Sequence, residues 1–113
     1  VQYEEAVNTL VELGWERERL HRVYSDVVDV WGTVMYFLFD EEDALQYIGI
    51  TSDLRRRLHA HRIGKGISNH PHSYAIWIDM REMYLGRRIT QVESEMIQLF
   101  EPPQNRACRR ARS

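Results

Sequence analysis

Six side chains in this sequence have types and spacings that point to chemistry on phosphate. Tyr36 and Tyr47 are eleven residues apart, in two stretches that read as the arms of a hairpin, where neighbouring strands place alternate residues on a shared face. Gly49 follows Tyr47 by two, and a glycine late in a strand admits close approach of backbone or ligand where a Cβ would intrude. Arg57 and His61 are four apart and share one face of the segment if it is helical. Glu93 stands in the last apolar-periodic stretch, with Asn105 twelve residues beyond it. Each has an ordinary alternative reading. Tyrosine is enriched in strands, an Arg run is usually a solvated helix face, and a lone histidine is usually a surface or capping group. Thr90 and Glu93 have capping-box spacing, which would turn the carboxylate onto backbone N–H groups. Asn105 after two prolines reads as a turn residue.

The elements that must position these groups can be read in order. Tyr3 to Leu13 spaces Ala6, Leu10 and Leu13 as a helical stripe, with Gly14 as a stop. Glu16 to Tyr24 reads as a second helix or a continuation of the first. From Thr33, the run Val34 to Phe39 favours a buried strand; an acidic turn at Asp40 to Asp43 and a short strand from Leu45 to Ile50 complete a hairpin. Thr51, Ser52 and Asp53 offer N-cap oxygens to a helix through Leu54, Leu58 and His61 that Gly64 and Gly66 end. A polar loop from Ile67 to Ser73 leads to a third strand, Tyr74 to Met80. A helix from about Arg88 or Thr90 to Phe100 closes the series, because Pro102 and Pro103 forbid continuation. The expected class is α+β, a small three-stranded antiparallel sheet flanked by helices behind an N-terminal helical extension.

With 113 residues, one domain and a single core are expected. No apolar run reaches the roughly 18 residues of a membrane span. The single cysteine, Cys108, has no partner for an internal disulfide, so a cytoplasmic setting is expected. The net charge of −2 conceals an asymmetry: residues 1–43 carry eleven acidic and three basic groups, whereas residues 44–113 carry six acidic and twelve basic. A basic second half is the electrostatic footprint of a phosphate-binding face. Fourteen of the fifteen basic residues are Arg, which suits bidentate phosphate contact and could equally reflect genomic base composition.

The stretch Val34 to Tyr36, the Tyr47-Ile48-Gly49 tripeptide, Arg57 with His61, then Glu93 and Asn105 together resemble the GIY-YIG nuclease domain in residue type, order and spacing. The resemblance runs from about Thr33 to Arg106, dividing the chain into an extension (1–32), a nuclease-like domain (33–106) and a basic tail (107–113). One departure is visible, since Val34-Met35-Tyr36 stands where the family has Gly-Ile-Tyr. The resemblance implies a metal-dependent phosphodiesterase that cuts DNA, with Glu93 holding one Mg²⁺ or Mn²⁺ and Arg57 contacting the scissile phosphate. Tyr36, helped by His61, would take the proton from the attacking water, with Tyr47 hydrogen-bonded nearby. Asn105 would orient groups at the site or hold the C-terminal segment against it.

Arg55, Arg56, Arg62 and Lys65 on or just after one helix, Arg87 and Arg88 before another, and Arg109 and Arg110 in the tail are the expected DNA-backbone contacts. His70 and His72 form a His-x-His in a loop expected near the substrate groove. Trp15, Trp31 and Trp77 read as packing residues. The acidic N-terminal helices are the expected surface for a homodimer or partner protein. The reading from a different class is a nuclease-derived DNA-binding or protein-docking module without turnover.

Overall fold

In the computed structural model, which describes residues 1–24, 30, 32–63, 72–80 and 88–105, with the backbone alone at 62 and 63, the chain forms four strands and three helices among those residues. The strands are β1 (His21–Val23), β2 (Val34–Phe39), β3 (Leu45–Thr51) and β4 (Tyr74–Asp79). The helices are α1 (Tyr3–Glu12), α2 (Leu54–Ile63) and α3 (Ile89–Phe100), and a short 3₁₀ turn spans Arg17–Arg19. The sheet is antiparallel in the order β1-β4-β2-β3.

All six residues of β2 are buried. A strand reads as an unbroken apolar run when both faces of its sheet are covered, and that is the case here. Met35, Phe37 and Phe39 face a core shared with Ala6, Val7 and Leu10 of α1, Trp15, and Val92, Met96 and Phe100 of α3. Phe37 meets Trp15 and Phe100 edge-on, with centroids 6.2 and 6.4 Å away. Val34, Tyr36 and Leu38 face the other way, against Leu54 and Leu58 of α2 and Ala75 of β4. Val34, at the position of the family's missing glycine, is buried in this second core and paired with Thr51 and Asp79.

The β2–β3 register places Tyr36 opposite Gly49 and Leu38 opposite Tyr47. The acidic turn fixes it: the Asp40 carboxylate accepts the N–H groups of Glu42 and Ala44 at 2.8 and 2.9 Å, and Asp43 takes a left-handed conformation with φ of 63°. The outer edge of β3 is covered at its start, where the Leu45 N–H donates to the Val1 carbonyl at 2.8 Å. Helix α2 begins one residue after Asp53, whose carboxylate accepts the Arg56 N–H at 3.2 Å, the capping expected from the sequence.

Two expectations change. Glu16 to Tyr24 is not a second helix; it makes the 3₁₀ turn and then strand β1, so the sheet has four strands, not three. The edge of β4 carries backbone donors and acceptors that a helix could not satisfy, and His21, Arg22 and Val23 pair there with Trp77, Ile76 and Ala75. Arg22 adds a side-chain anchor, its guanidinium carbon 4.3 Å from the ring centres of both Tyr3 and Tyr74 and 5.2 Å from that of Tyr24. The second change concerns Thr90. Helix α3 is capped at Arg88 without a side-chain hydrogen bond, so Thr90 lies inside the helix and the capping box does not form. Most of the loop 67–73 and the basic tail lie outside the described residues, and none of the described helices is long and apolar enough to cross a membrane.

Leu10 and Leu13 test the role of α1 as the lid of the first core, since Leu10 is 1 % exposed and Leu13 is 50 % exposed. Leu10→Ala is expected to cost about 2–5 kcal/mol. Leu13→Ala should stay within about 0.5 kcal/mol of the parent. Urea denaturation curves of the two variants give the comparison.

Candidate active site

The site is built around one buried phenol. Tyr36 projects from β2 across its hydrogen-bonded neighbour Gly49, and a Cβ added to Gly49 would lie 2.6 Å from the Tyr36 Oη and 2.7 Å from its Cζ. The expectation that this glycine permits a close approach is met, and what approaches is the tyrosine ring. Tyr47, half-buried and two residues back along β3, has its ring centre 6.0 Å from that of Tyr36.

From above the sheet, α2 contributes two groups. Leu54 and Leu58 seat the helix on Val34 and Leu38, and the same inward side carries His61, which is 1 % exposed. Its Nε2 lies 2.9 Å from the Tyr36 Oη, a hydrogen bond whose donor depends on the imidazole tautomer. The His61 ring centre is 5.6 Å from that of Tyr36 and 5.2 Å from that of Tyr47, so the three rings form one cluster. Arg57, one turn earlier and half-buried, is close enough for its charge to act on Tyr36. Helix α3 supplies Glu93, half-buried in its second turn, whose charge is also felt at Tyr36.

Asn105 has a different place from the other five. Its Oδ1 accepts the Ile48 N–H at 2.7 Å and its Nδ2 donates to the Ile48 carbonyl at 2.8 Å, so the amide imitates a neighbouring strand on the outer edge of β3. It holds the backbone between Tyr47 and Gly49 and ties the segment after α3 to it.

Burial pushes the Tyr36 phenol well above its ordinary value near 10; Tyr47 and the Glu93 charge push the same way, and Arg57 opposes them. In the protein without bound ions Tyr36 is therefore a neutral phenol throughout the usual pH range. Tyr74, buried and donating to the Asp43 carboxylate at 2.6 Å, is raised as well, for reasons of burial and that carboxylate.

Of the expected DNA-contacting residues, Arg55 and Arg56 are exposed on α2 and Arg88 is exposed before α3. Lys65, Arg87, Arg109 and Arg110, the side chain of Arg62, and also His70 and Trp31, lie outside the described residues. Trp15 is a core residue as expected, and Trp77 is half-buried, with its ring 4.4 Å from that of His21. His72, expected in a loop near the substrate groove, has its ring edge-on to that of His61, centroids 6.4 Å apart. Among the described residues no three of His, Cys, Asp and Glu gather into a metal-binding group.

These observations give two expected outcomes. Above about pH 10 the unfolded chain releases phenolic protons that Tyr36 and Tyr74 retain in the folded state, so stability falls as pH rises through that range. In a spectrophotometric titration at 295 nm, those two phenols should remain protonated at pH 11 and ionise only with unfolding. Asn105→Ala leaves the Ile48 N–H and carbonyl without partners and is expected to cost at least about 2 kcal/mol by thermal or urea denaturation.

Comparison of the chain with curated proteins and with solved structures gives no match. A family model does match: the GIY-YIG catalytic domain, over residues 32–106. That segment contains β2, β3, α2, β4 and α3, and with them Tyr36, Tyr47, Arg57, His61, Glu93 and Asn105. With about two thirds of its length covered by that model and an α+β sheet of the corresponding form, the chain belongs to the GIY-YIG family of nuclease domains.

Proposed function

We propose that the protein is a metal-dependent DNA endonuclease that hydrolyses phosphodiester bonds at the Tyr36–Tyr47–His61 cluster. The observation that carries this reading is convergence: four residues from β3, α2 and α3, up to 57 positions away in sequence, act on the single buried hydroxyl of Tyr36. Packing alone gives no reason to bury an imidazole against a phenol within range of a guanidinium and a carboxylate charge.

Phosphodiester hydrolysis requires removal of a proton from the attacking water and stabilisation of charge on the pentacovalent phosphate. A neutral, fully buried Tyr36 cannot act as a free phenolate. It can accept a proton only while passing its own to His61 across the 2.9 Å hydrogen bond. Tyr47 is the less buried member of the pair, and in our reading it meets the water, while Tyr36 connects it to His61. This moves the first contact one residue outward from the Tyr36 assigned on sequence. Arg57 presents a planar fork of donors to the phosphate oxygens.

The donor set also suits Mg²⁺ or Mn²⁺. Such an ion accepts one or two carboxylates, retains several waters and takes further oxygens from a substrate phosphate, so a single half-buried carboxylate fits it better than a closed cage would. Glu93 would hold the ion, which supplies Lewis-acid stabilisation of charge on the phosphate and leaving oxygen. Arg55, Arg56 and Arg88 offer contacts that position the DNA backbone without reading sequence.

The test is cleavage of supercoiled plasmid with Mg²⁺ or Mn²⁺ at fixed salt by wild type, Glu93→Ala and Arg57→Ala. Wild type is expected to give nicked or linear product, with a loss of at least about a hundredfold in each variant. A wild-type protein that binds the plasmid and structured DNA but leaves both intact with either metal would instead be a binding module.

A further inference from the structure

We infer that His21, backed by Trp77, is a stacking platform for an unpaired nucleobase of the DNA, placed beside the site of hydrolysis. The inference rests on the nuclease reading above and deepens it by naming a feature of the substrate. Strand register carries it. Trp77 of β4 is paired with Tyr36 of β2 on one side and with His21 of β1 on the other. Directly opposed residues of antiparallel strands share a face, so Gly49, Tyr36, Trp77 and His21 form one row across the sheet, on the face that carries α2. From Tyr36 the row reaches an exposed ring in two strand spacings, roughly 10 Å.

The two rings are stacked, with centroids 4.4 Å apart and planes inclined by 30°. Trp77 is half-buried against the second core, which holds the indole in place, and His21 is the exposed end of the stack. An aromatic ring at the surface accepts any base, because every base has a π face. A paired base stays between its neighbours in the duplex, so only a base turned out of the helix can reach such a ring. The platform therefore favours DNA with an unpaired base close to the cut. Arg55 and Arg56, exposed on the helix that lies over the same face, supply the charge that holds a polyanion there. An aromatic pair across two strands also stabilises a sheet, and the two roles differ in what they predict for DNA.

The test is fluorescence anisotropy on uncut DNA, with Ca²⁺ in place of Mg²⁺, using three short duplexes of one sequence. One is fully paired, one carries a single bulged adenine, and one carries the same bulge without its base, so the last two differ in stacking alone. Wild type is expected to bind the adenine bulge at least about fivefold more tightly than the abasic bulge. His21→Phe should keep that preference, His21→Ala should lose most of it, and His21→Ala/Trp77→Leu should lose it all, with affinity for the paired duplex unchanged throughout. Equal binding of the two bulges by wild type would overturn the inference. So would a His21→Ala protein that melts earlier yet keeps the full preference, since the pair would then serve the sheet only. Plasmid cutting by a wild type without the preference sinks this inference and leaves the nuclease reading standing. The preference in a protein that leaves every DNA intact does the reverse.

Discussion

The arrangement depends on the burial of one hydroxyl. A tyrosine at the centre of a sheet covered on both faces needs space for its ring and a partner for its oxygen, because an unpaired buried hydroxyl costs about 1–3 kcal/mol. The ring has space because its cross-strand neighbour is Gly49, over which it can lie. The oxygen has a partner because His61 comes down from α2 to 2.9 Å. Those two requirements fix where α2 sits, and with it Arg57. They also fix the register of the β2–β3 hairpin, since a slip of one residue would turn Tyr36 to the opposite face and bring Ile48 or Ile50 opposite it in place of the glycine.

The helix that carries His61 is weakly apolar, with Leu54 and Leu58 as its buried aliphatic anchors. Such a helix cannot be held by propensity or by a broad apolar stripe. Its position is reinforced by capping at Asp53 and by the Tyr36–His61 hydrogen bond, so the site groups contribute to the fold that positions them. On the other side, Asn105 acts at the backbone: its two bonds to Ile48 immobilise the turn of strand between Tyr47 and Gly49, where a small shift would move both the outer phenol and the seat of the inner one.

The parts of this structure that sequence revealed are those set by local period and by rare residue types. The run Val34 to Phe39, the stripe in α1, the Asp53 cap and the proline stop after Phe100 all specify their elements within a few residues. The six site positions stood out because their types are unusual in such elements and their spacings match a family. What sequence did not reveal was set by distant partners. Leu20 to Tyr24 has an arrangement that suits a helix as well as a strand, and pairing with the free edge of β4 decided between them. The Thr90–Glu93 spacing is a sound capping signal that lost because the helix begins earlier, at Ile89. The contact between His61 and His72 and the burial difference between the two phenols are relations between elements, which no single stretch of sequence encodes.

The charge asymmetry also acquires a meaning that counting alone could not give. The acidic groups of α1, Glu4, Glu5 and Glu12, lie with the helix on one face of the sheet, whereas Arg55, Arg56 and Arg57 lie with α2 on the other. The Arg run of α2 and the acidic groups of α1 are therefore on opposite faces, although Arg17 and Arg22 also pack beside α1. A polyanion approaching such a dipolar molecule is drawn to the α2 side and repelled from the α1 side, an effect that weakens as salt shortens the range of the field. The groups proposed to react pack on the α2 side, so in that proposal the field would orient a DNA backbone toward Arg57 and Tyr47 before any specific contact forms. Glu93 is a negative charge acting on Tyr36 from a helix on the far face. A carboxylate there opposes phosphate binding unless a cation stands between them, and this is the physical reason for assigning it to a metal ion.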